Sequence, residues 1–97
     1  TTVDGHTGVT IQSTDSGNIL LDSVADIVLD AGGADITLKD DGTVFGALSQ
    51  SGGELLIKSS SSATTAITMS GANVAVAGTL STAGSAVATV GLAIALG

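Results

Sequence analysis

The feature that most constrains this chain is a pair of apolar residues separated by one position and repeated along most of its length. The pairs are Val9/Ile11, Ile19/Leu21, Ile27/Leu29, Ile36/Leu38, Leu55/Ile57, Ile67/Met69 and Val74/Val76, with Val44 beside Gly46 as a weaker member. Their first residues step by 10, 8, 9, 8, 11, 12 and 7 positions. Residues at i and i+2 point to the same face of a β-strand. Between the pairs lie turn formers, as in Thr14-Asp15-Ser16-Gly17-Asn18, Gly32-Gly33, Asp40-Asp41-Gly42 and Ser51-Gly52-Gly53. Gly reaches positive φ at no steric cost, and Asp, Asn and Ser bond to the local backbone. Short strands at such spacing predict an all-β chain. A helix fits badly, because 14 of the 97 residues are Gly and the apolar period is two rather than 3.6.

With about two inward residues each, the strands are too short for an ordinary sandwich. They suit the rungs of a β-helix, each pairing through its backbone edge with the next. The apolar content is high, 43%, but comes from aliphatic residues, with Phe45 the only aromatic among Phe, Trp and Tyr. One chain of this length supplies only about three or four turns of a three-stranded coil, a thin core with two uncapped ends. Three identical chains around a common axis remove that difficulty. The expected architecture is an elongated, fibrous homotrimer of intertwined β-helical strands. Its expected trimer core is Val9, Ile11, Ile19, Leu21, Ile27, Leu29, Ile36, Leu38, Val44, Leu55, Ile57, Ile67, Met69, Val74 and Val76. Phe45 is expected in that core as its widest residue, with an outer-face contact as the alternative.

Charge removes several functions. The net charge is −7, and Lys39 and Lys58 are the only basic residues besides His6. A nucleic acid or an anionic membrane surface needs a basic patch, so neither is an expected partner. The chain has no cysteine, hence no disulfide, catalytic thiol or thiolate metal site. Its start at Thr1 reads as a fragment or a processed chain, with no signal peptide recognisable there.

Residues 1–80 read as shaft repeats and 81–97 as an Ala/Gly/Ser/Thr-rich transition ending in an alternating strand, Val90–Leu96. The stretch from Val74 to Gly97 is uncharged and long enough to span a bilayer. Its Gly, Ser and Thr content, with no aromatic belt or flanking Lys/Arg, argues against a span.

Four features invite a chemical reading. Asp26, Asp30, Asp35, Asp40 and Asp41 supply hard oxygens of the kind calcium takes. Gly32–Leu38 loosely resembles the calcium-binding nonapeptide, but it lacks a Gly between Gly33 and Asp35 and is not repeated. The acids are better read as solvent-face charges that discourage edge pairing. Paired carboxylates can hydrolyse glycosides, but no Trp or Tyr is present to stack a sugar ring. His6 is a lone histidine between Gly5 and Thr7, read as an exposed turn residue because a metal site needs several convergent ligands. Ser59–Ser62 with Ala63-Thr64-Thr65 reads as an enlarged turn between two rungs. No catalytic, cofactor or metal residues are expected.

The segments GNILLDS (17–23), ADIVLDA (25–31), ADITLKDDGTVFGAL (34–48), GELLIKSS (53–60) and ANVAVAGTL (72–80) resemble shaft segments of bacteriophage tail fibres and tail spikes. The resemblance covers 17–80 and rests on a repeat style shared with other fibrous adhesins. It implies a homotrimeric, intertwined β-helix serving as a rigid spacer, with receptor binding or glycan cleavage in separate domains. It further implies a place in the virion tail, outside the cell. Implied partners are other tail proteins, with a host surface glycan or protein as a candidate. The variable spacing departs from the strict eight-residue repeat of membrane-piercing needles and favours a fibre shaft. The alternatives are a bacterial surface adhesin stalk or receptor-binding module, and a single-chain β-solenoid carrying an active site.

Overall fold

A computed structural model of the chain describes residues 1–83. The terminal strand expected at Val90–Leu96 lies outside the described residues, as does most of the expected 81–97 transition. Five strands follow in order: β1 (Ile36–Asp40), β2 (Thr43–Ser51), β3 (Glu54–Ser59), β4 (Thr64–Ser70) and β5 (Asn73–Val76). Each pairs antiparallel with the next, giving one five-stranded meander in the order β1-β2-β3-β4-β5. The chain is therefore all-β, as the period-two pattern predicts.

The turns explain the topology. Asp41-Gly42 joins β1 to β2 with φ of 48° and 82°, and Gly52-Gly53 joins β2 to β3 with 61° and 83°. Positive φ at both central residues is the type I′ geometry, whose twist matches that of the flanking strands. The Gln50 side-chain oxygen accepts from the Gly53 N–H at 3.1 Å, holding the second turn. Ser60–Ala63 joins β3 to β4 as the enlarged turn expected there, closed by Ala63 N–H donating to the Ser60 carbonyl at 3.0 Å. The hydroxyls of Ser60 and Ser62, and of Ser62 and Thr64, bond at 3.0 and 3.1 Å.

Two bulges interrupt the ladders. Phe45 is the extra residue of β2 opposite the Leu38/Lys39 step, and Ala66 the extra residue of β4 opposite Ile57/Lys58. Gly46 sits between them. A Cβ there would lie 2.7 Å from the Lys58 carbonyl oxygen, so this close crossing of β2 and β3 admits only glycine without a shift.

Within Ile36–Val76 the units are hairpins of one chain, and β2 has nine residues, longer than a two-residue rung. Residues 1–35 differ. They carry the same apolar pairs but contain no strand or helix. Residues 1–30 make no backbone–backbone hydrogen bond with a described residue. The radius of gyration is 18.8 Å, with extents of 60 × 30 × 30 Å, whereas a compact domain of 100 residues has about 13 Å.

Candidate functional site

The register of the meander gathers the apolar pairs onto one face. Opposed residues form a row across all five strands: Ile36, Leu48, Ile57, Ile67 and Val76. A second row holds Gln50, Leu55, Met69 and Val74, and a third Leu38, Gly46 and Ser59. Adjacent strands lie about 4.8 Å apart, so the first row is an aliphatic ladder about 19 Å long. Among the described residues nothing covers it. Leu38, Leu48, Leu55, Val74 and Val76 are exposed, and Ile36, Ile57, Ile67 and Met69 are only half-buried.

The opposite face is polar and small. Its rows are Thr37-Ala47-Lys58-Thr65 and Ser49-Leu56-Thr68-Ala75, with Ser51 opposite Glu54 and Ser70 opposite Asn73. Ala47 (4% exposed) and Ser49 (6%) are the buried residues here, because short side chains in mid-sheet sit below their longer neighbours. Ser49 Oγ donates to Asp35 Oδ1 at 2.5 Å. Asp35 thus extends the β1–β2 ladder by one side-chain bond, beyond the solvent-face role expected of it.

Of the fifteen expected core residues, the structure brings eight onto the apolar face: Ile36, Leu38, Leu55, Ile57, Ile67, Met69, Val74 and Val76. Val44 stands elsewhere. The Phe45 bulge sets it opposite Lys39, off the rows. Val9, Ile11, Ile19, Leu21, Ile27 and Leu29 lie in the strand-free segment, all at least half exposed. Leu48, at the centre of the first row on β2, was not foreseen. Its signal was alternation with Gly46 and Gln50, masked by a glycine on one side and an amide on the other. Phe45, expected in the core, is 52% exposed, because the bulge takes it out of the alternation and no described residue covers it.

The other candidates stand as follows. His6 is exposed, in a bend. Asp22, Asp26, Asp30, Asp40 and Asp41 are exposed, and no group of three or more His, Cys, Asp or Glu converges among the described residues. No pocket is present there either, and no helix long and apolar enough to cross a membrane. What the arrangement offers chemically is association: an aliphatic face and an unpaired backbone. Compared with models of known families, with curated proteins and with solved structures, the chain matches none.

Proposed function

We propose that the chain is a shaft segment of a bacteriophage tail fibre or spike, a homotrimer whose three apolar faces meet on a common axis and whose rod supports host attachment. One observation carries the reading. A chain that is 43% hydrophobic buries a single hydrophobic residue, Ala47, among its described residues. It exposes 8175 Å², whereas a compact monomer of 9.2 kDa exposes about 4,900 Å². The surplus, about 3,300 Å², is several times the roughly 800 Å² each partner contributes to a standard interface. Identical copies fit the face because it is aliphatic and without charge, so it complements itself under rotation.

In this arrangement the strands cross the rod and the ladder runs along it, so each hairpin lengthens the axial core by about two strand spacings. Interchain rungs of β-helical type would continue it through the pairs of residues 1–35. Stiffness comes from the backbone ladders, and the outer face carries the Ser, Thr and acidic residues that keep a rod soluble. The virion tail is its proposed place, and adjoining tail proteins are its proposed neighbours.

Two substitutions test the reading by sedimentation of purified protein. Ile36→Asp places a charge on the ladder and should leave single chains only. Asp26→Ser changes an exposed acid and should leave the assembly intact. The reverse pattern would overturn the face assignment. Glycan-array binding by this chain alone would replace the shaft with a receptor-binding module.

A further inference from the structure

β1 is an edge strand. One side of its backbone pairs with β2, and no strand lies on the other side among the described residues. Nine residues before it the chain carries a copy of its sequence. ADIVLD (25–30) and ADITLK (34–39) agree at four of six positions. The copy contains no strand, makes no backbone hydrogen bond to a described residue, and exposes Ile27, Val28 and Leu29. An open edge and an unpaired copy of the same strand are complementary, because equal period-two patterns put Ile27 and Leu29 on the face that Ile36 and Leu38 occupy.

The copy cannot reach that edge in parallel within its own chain. Three residues, Ala31-Gly32-Gly33, separate the two units, and parallel neighbours need a crossover of a dozen or more. An antiparallel hairpin across Ala31–Ala34 is short enough, yet the chain does not form it. There it makes a separate turn, with Ala34 N–H donating to the Ala31 carbonyl at 2.9 Å and Ala34 at φ 78°. A copy related by rotation about an axis winds in the same sense and presents its unit parallel. Asp26 then comes beside Asp35, which already accepts from Ser49, and Asp30 comes beside Lys39.

We infer that residues 27–30 of one copy add in parallel to the free edge of β1 in a neighbouring copy, with Ile27 beside Ile36, Leu29 beside Leu38 and Asp30 beside Lys39. The inference rests on the homotrimer proposed above. It makes Ala31–Ala34 the junction between two ways of building one rod. Before the junction, rungs come from different chains. After it, hairpins come from one. Ile19-Leu20-Leu21-Asp22, eight residues before Ile27-Val28-Leu29-Asp30, has the same pattern and continues the interchain series. The junction also protects β1, whose open edge would otherwise template aggregation.

The chain has no cysteine, so engineered pairs report without background. Asp30→Cys with Lys39→Cys, oxidised gently in the assembled state, should run as a covalent trimer on a denaturing, non-reducing gel. A bridge within one chain overturns the inference, as do covalent trimers formed only by Asp26→Cys with Lys39→Cys, the antiparallel pairing. In unsubstituted protein the amides of residues 27–30 should exchange about 100-fold or more slowly than in an unstructured peptide. Free exchange in a particle with the mass of three chains overturns this inference and leaves the homotrimer standing. A particle with the mass of one chain overturns both.

Discussion

Ile57→Ala is the most informative single change. Ile57 stands in the central strand of the sheet, third of five in the aliphatic ladder, with Leu48 and Ile67 on either side. In one chain it is half-buried, and an assembly that meets at the ladder covers the rest. Truncating a covered isoleucine to alanine costs about 3 kcal/mol, since it removes the transfer free energy of three carbons and leaves a cavity. About half of that falls on contacts already made within one chain, so assembly loses about 1.5 kcal/mol per copy and about 4.5 kcal/mol for three. At 1.4 kcal/mol per factor of ten, the dissociation constant of the trimer rises by about 10³. That constant scales with the square of the chain concentration, so half-assembly shifts to about 40-fold higher concentration. A dilution series followed by sedimentation velocity reads the shift directly. Alanine keeps the backbone pairing and adds no charge, so the sheet itself is not the target. If half-assembly moved by threefold or less, Ile57 would be an ordinary surface residue and the ladder would not be the interface.

Three further changes probe the chain. Gly46→Ala should destabilise the folded protein by about 1–3 kcal/mol in denaturant unfolding, because its Cβ meets the Lys58 carbonyl and backbone must move. Gly32→Ala, with open space around the added carbon and no positive φ, should be neutral or slightly stabilising in the same assay. Ser49→Ala should cost about 1 kcal/mol and loosen the start of β1, seen as faster amide exchange at Ile36 and Thr37, because the Asp35 carboxylate loses the hydroxyl that donates to it.

The apolar pairs of the sequence carry over to the fold for a simple reason. Residues two apart share a face whatever strand they pair with, so Ile36/Leu38, Leu55/Ile57, Ile67/Met69 and Val74/Val76 fall on one side of the meander. The same pattern does not say which edges pair. That information sits in the turns. Asp41-Gly42 and Gly52-Gly53 are two-residue type I′ signals, which specify antiparallel hairpins and not the successive rungs of a coil. The length of β2 was hidden by Ser49, Gln50 and Ser51, polar residues that read as loop but lie in a ladder. The Phe45 bulge broke the alternation where Val44 and Leu48 had to be distinguished. Asp35 was legible only as an acid, since its hydroxyl partner lies 14 residues away. Over residues 1–35 the pattern is as strong as in the sheet, yet no strand forms there, because apolar periodicity places residues on a face and does not supply a partner edge.

The central claim is a number of chains. Light scattering on a size-exclusion column measures it directly, at a concentration where circular dichroism shows β-structure. The account predicts a particle of three times the 9.2 kDa chain mass, eluting early for that mass because it is a rod. A folded particle of 9.2 kDa would contradict it, because one chain would then be stable with its aliphatic ladder in water.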